Sequence, residues 1–117
     1  MYAATKAAVV SLSASVNAEA PRGVRVHALC PDGVDTAMLA AQDPSGLGSQ
    51  LVHSGGAILS VADVATAAVS LVGSARVVRT VPGWRGGVVR ASALAPGVMQ
   101  HASGLFAAQG RRAMKRR

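Results

Sequence analysis

The chain has 117 residues, half of them hydrophobic but with only Tyr2, Trp84 and Phe106 aromatic, which is material for one small domain and excludes a second. Much of the hydrophobic share is Ala, so Val, Leu, Ile and Met must supply the bulk of any core, and the composition predicts a chain that leans on partners for stability. The formal charge is +7, with Arg111, Arg112, Lys115, Arg116 and Arg117 giving five of the twelve cations, and the lone Cys30 excludes an internal disulfide.

No basic run or cleavage pattern follows Met1, so no signal peptide is predicted. The apolar stretch 88–108 is interrupted by Arg90, Pro96, Gly97, Gln100 and His101 and is a poor membrane span. A cytoplasmic location is expected, with a membrane-peripheral alternative set by the C-terminus.

The Ala-rich run 3–20 predicts a helix, with Ala4, Ala7, Ala8, Leu12 and Val16 at helical spacing as its packing face and Pro21 and Gly23 marking its exit. Tyr2 and Lys6 are four residues apart, so on that helix they stack on one side. An ammonium beside a phenol favours the phenolate, which draws a group with an ordinary pKa of about 10 toward neutrality, where it exchanges a proton with a substrate oxygen. The competing reading is a helix-start Tyr and a solvated Lys.

Val24 to Leu29 alternates apolar residues against Arg25 and His27 and predicts a strand. His27 reads as a satisfied strand histidine, since no second His or Cys stands at metal-ligand spacing, and no metal is expected. Cys30, at the strand's end, reads as a small buried hydrophobe. Pro31-Asp32-Gly33-Val34-Asp35-Thr36 follows at the strand's C-terminal end, the edge where open α/β sheets bind ligands; the alternative is an ordinary turn with Thr36 as a helix cap.

From Met38 to Leu59 the turn-forming runs Asp43-Pro44-Ser45-Gly46 and Ser54-Gly55-Gly56 predict a long loop beside the site, with His53 in it as a solvated residue or a substrate contact. Ser60 then caps a helix with Asp63 at its third position, Gly73 ends it, and Val61, Val64, Ala65, Ala68, Leu71 and Val72 make its buried stripe. Arg76 to Val81 reads as a second strand, and two strands need neighbours. After Gly83 come two short helical segments split by Pro96-Gly97, the second with Val98, Ala102, Leu105 and Phe106 on one face, and then the basic tail. That tail reads as solvated or as a contact to an anionic membrane surface; without interleaved aromatics, nucleic acid is not an expected partner.

The order of helix with Tyr-x-x-x-Lys, short turn, apolar strand and Pro/Gly loop ending in Thr36 resembles the short-chain dehydrogenase/reductase family. The resemblance implies an NAD(P)-dependent oxidoreductase passing hydride between the cofactor, NAD or NADP, and a small carbonyl or alcohol substrate. It implies Tyr2 and Lys6 as catalytic and cofactor-contacting residues, with Pro31, Gly33, Val34 and Thr36 closing over the nicotinamide end. Thr36 would add its hydroxyl there or at the diphosphate, and Asp32 stands where the family usually has Gly. It also implies a homo-oligomer, since the Tyr-bearing helix often contributes to a dimer interface.

Because the family's glycine-rich turn and catalytic Ser lie upstream of its Tyr, this reading expects only the C-terminal half of a Rossmann-type doubly wound α/β sheet, lacking the N-terminal glycine-rich βαβ half. Residues 1–83 would be that half-domain and 84–117 a helical extension with a basic tail. Such a chain is expected to be inactive alone, the alternative being a non-catalytic product that acts by association through its helices or basic tail.

Overall fold

The computed structural model describes residues 2–115; Met1, Arg116, Arg117 and the side chain of Tyr2 lie outside what is described. Its first element is α1 (Tyr2–Glu19), an 18-residue helix that continues unbroken because neither Gly nor Pro occurs before Pro21. Ala4, Ala7, Ala8, Leu12 and Val16, the face expected to pack, are all exposed. The inward line is Val10, Ser13 and Asn17 instead, with Ser13 buried. Asn17 fixes it: its Nδ2 donates to the Val26 carbonyl at 2.5 Å and its Oδ1 accepts from the Val26 N–H at 3.0 Å.

This clamp ties up Val26, and the ladder begins two residues later, at β1 (Ala28–Pro31) rather than at the expected Val24. β1 pairs in parallel with β2 (Val78–Val81), Ala28 opposite Val78 and Pro31 opposite Val81, in a two-stranded sheet. Parallel neighbours require a crossover, and three helices supply it: α2 (Ala37–Ala40), α3 (Leu47–His53) and α4 (Val61–Val69). The segment expected as a loop from Met38 to Leu59 therefore holds most of two short helices. A strand–helices–strand unit of Rossmann type is present from Ala28 to Val81, preceded by α1 at the N-terminus. The expectation of a fold without its N-terminal α/β part is corrected on that ground, since the helix–strand element α1–β1 is the N-terminal part of this chain.

In α4, Ser60 and Asp63 form the expected reciprocal capping box. Of the expected stripe, Val64 is half-buried and Leu71, just beyond the helix end at Val69, is buried, while Val61, Ala65, Ala68 and Val72 are exposed and Ala67, outside the stripe, is buried. A helix apolar on nearly every side leaves the phase of its buried face open. Beyond β2, α5 (Gly83–Leu94) packs back on β2, and α6 (Pro96–Met114) packs on α3. A Cβ on Gly110 would stand 1.7 Å from the Gln50 carbonyl oxygen, so only glycine allows α6 to lie this close to α3.

The buried apolar residues among those described are Ala28, Ala67, Leu71 and Ala107, a core of small side chains. The accessible surface of 8224 Å² exceeds the roughly 5,900 Å² expected of a compact monomer of this mass. The radius of gyration, 15.6 Å, likewise exceeds the expected value of about 13 Å.

Candidate functional site

The C-terminal ends of β1 and β2 open onto the 31–36 loop, and the loop's geometry follows from one bridge. Val34 pairs with Leu59: the Leu59 N–H donates to the Gly33 carbonyl at 2.8 Å, and the Asp35 N–H donates to the Leu59 carbonyl at 2.9 Å. In such a bridge Val34 turns its own N–H and C=O to the opposite side. Thr36 Oγ1 donates to the Val34 carbonyl at 3.3 Å and accepts from the Leu39 N–H at 3.4 Å, so Thr36 caps α2. Gly33 is buried against the crossover, where a Cβ would meet Val52 at 2.4 Å and Ile58 at 2.9 Å; its small size serves packing there. Pro31 is exposed at the end of β1.

At the same edge Asp32 and Arg85 meet. Asp32 is the first residue beyond β1 and Arg85 stands in the first turn of α5, beyond β2. Arg85 Nε lies 2.6 Å from Asp32 Oδ2, with the two side chains only 18% and 16% exposed. Arg85 Nη2 also donates to the Leu51 carbonyl at 3.0 Å and to Ser54 Oγ at 3.2 Å, while the guanidinium sits 4.9 Å from the Trp84 ring centroid. One guanidinium thus joins β1, α3 and α5. Neither residue of the pair was expected at the site beyond Asp32 as a departure from glycine, although opposite charges just past two parallel strands were a readable signal.

Positions 2 and 6 stand in the first turns of α1, at the end away from Asn17, which ties the helix to Val26. Lys6 is exposed, and the Tyr2 side chain lies outside the described residues.

The other side chains singled out in the sequence make local contacts. His27 Nδ1 pairs with the Arg76 carbonyl at 2.6 Å and His53 Nδ1 with the Ser49 carbonyl at 2.8 Å. Cys30 is half-buried in β1. Among the described residues no cluster of three His, Cys, Asp or Glu could hold a metal, and no helix is long and apolar enough to cross a membrane. Two shallow grooves, of about 260 and 410 Å³, lie along the end of α6 and beside the 21–25 turn, away from the loop.

A family model described as short chain dehydrogenase matches residues 1–46, the part of the chain that carries α1, β1 and the 31–36 loop. Comparison with curated proteins and with solved structures gives no match. The resemblance is therefore to short-chain dehydrogenases and their Rossmann-type oxidoreductase class, over 46 of 117 residues. It corrects the expectation of a C-terminal half only, because the match falls on the N-terminal part of this chain.

Proposed function

We propose that the chain is an NAD(P)-linked oxidoreductase of the short-chain dehydrogenase type, acting on a small carbonyl or alcohol. The observation that carries this reading is the short chain dehydrogenase match over residues 1–46, a stretch that holds the Tyr2–Lys6 spacing on α1 and the 31–36 loop at the end of β1. In this reading Tyr2 moves the proton to or from the substrate oxygen. Lys6, one turn along, favours the ionised phenol.

Pro31, Gly33, Val34 and Thr36 would form the nicotinamide end; the Val34 N–H is turned away from Leu59, while the Val34 carbonyl accepts from Thr36 Oγ1 at 3.3 Å. No glycine-rich strand-to-helix turn of the dinucleotide type follows β1 among the described residues, so no residue is assigned to the diphosphate. When bound, NAD(P) would supply the hydride chemistry; the chain's own groups position the substrate oxygen and handle its proton.

The test follows NAD(P)H oxidation with a panel of small aldehydes and ketones, with dinucleotide binding measured separately. Tyr2→Phe is expected to lower turnover at least about a hundredfold with binding unchanged. A Tyr2→Phe variant with wild-type turnover, or a wild-type chain that binds neither dinucleotide, overturns the reading.

A second reading, a non-catalytic chain that works by self-association, is favoured by the exposed surface of 8224 Å². It expects oligomers by light scattering and no dinucleotide binding.

A further inference from the structure

The chain is electrically divided. No Asp or Glu occurs after Asp63, while nine of the twelve Lys and Arg residues do, so everything from the end of α4 onward carries only positive charge. Within this half, α6 has a fixed orientation. Gly110 lies on the Gln50 backbone, Arg111 Nη1 donates to Gln50 Oε1 at 2.9 Å, and Ala107 is buried. With that face turned to α3, the opposite face is set by helical periodicity, and it runs through Val98, Leu105, Ala108, Arg112 and Lys115.

Val98 and Leu105 are 71% and 75% exposed, and Leu94 at the corner between α5 and α6 is 88% exposed. This face ends at Arg112 and Lys115, where a groove of about 260 Å³ walled chiefly by the apolar stems of Arg111, Arg112 and Lys115 and by Ala108 runs back toward the α3 side. Compensation of the helix dipole accounts for cations in the last turn. It does not account for aliphatic side chains held out in water along the same line.

The geometry points to the outer face of α6 as a docking surface for an anionic lipid bilayer. Val98 and Leu105 enter the headgroup boundary while Arg112 and Lys115 meet lipid phosphate and carboxylate groups. The charge sign selects anionic lipid, and the aliphatic anchors select a bilayer over a polyanion in solution. Nucleic acid fits this face less well, because stacking needs exposed aromatic rings among the cations; the ring on α6, Phe106, is half-buried, and the exposed Trp84 stands on α5.

The experiment is cosedimentation of the full chain with vesicles of phosphatidylcholine alone or mixed with phosphatidylserine, together with an RNA oligonucleotide titration. The expected result is binding to the mixed vesicles, weakened by salt, with little to phosphatidylcholine alone. Arg112→Gln and Lys115→Gln each weaken it about fivefold. Leu105→Glu and Val98→Glu each weaken it about tenfold while leaving helicity by circular dichroism unchanged, since both side chains already face water. Equal binding to both vesicle types, unchanged binding by both Glu variants, or tighter binding to RNA than to mixed vesicles overturns the proposal.

Discussion

Arg85 Nε sits 2.6 Å from the carboxylate of Asp32, across the C-terminal ends of two parallel strands and 53 residues away in sequence. Both side chains are mostly withdrawn from water, so removing one partner strands the other. Arg85 carries two further hydrogen bonds, to Leu51 and Ser54, that Asp32 lacks.

Arg85→Ala is therefore expected to destabilise more than Asp32→Asn, by about 3 against about 2 kcal/mol in urea melts. The double variant should cost less than the two losses together. Equal losses, or strict additivity, would show that the guanidinium does not join the three elements.

Two glycines of α6 respond in opposite directions to the same change. Gly110→Ala places a methyl on the Gln50 carbonyl and should cost about 1–3 kcal/mol, because helix backbone must move. Gly104→Ala meets nothing within 4 Å and should stabilise by about 0.5–1 kcal/mol through helix propensity alone. Thermal melts of the two variants, side by side, check both signs.

Asp43 lies in a turn that favours its charged form. The Ser45 hydroxyl and the Ser45 N–H both donate to its carboxylate, at 2.7 and 2.8 Å, and hold its pKa below the ordinary value. A depressed carboxylate stabilises the folded turn above the unfolded pKa, and that contribution is lost as pH falls through the folded one. Proton titration by NMR should show the Asp43 pKa rising in Ser45→Ala. No rise would mean the turn is open in solution.

What the sequence disclosed depended on how local the signal was. The capping box at Ser60 and Asp63 involves residues within a turn of each other and appears where its chemistry requires, whereas α4 stops at Val69, short of the expected Gly73, and the second of the two segments divided at Pro96-Gly97 is a 19-residue helix rather than a short one. Thr36 was open between cofactor contact and cap, and its hydroxyl is engaged as a cap. The buried side of α1 was not legible: Ser13 and Asn17 turn inward because Asn17 finds Val26, a pairing that no hydrophobic count contains. Strand limits failed for a related reason, since a ladder exists only where a neighbour does, and β2 reaches no further back than Val78. The Tyr2–Lys6 spacing and the 31–36 loop were readable together as a resemblance, and the family match falls on the same stretch.

The contact between α3 and α6 also orders events at the ribosome. Gln50 and Arg111 are 61 residues apart. At about 5–20 residues per second, α3 emerges some 3–12 s before the helix that covers it. During that interval its covering face has only the solvent or a chaperone to meet. Assembly of this half of the molecule is therefore set by translation of its last helix, and a premature stop within α6 would leave α3 uncovered even though every residue of the 31–36 loop had been made.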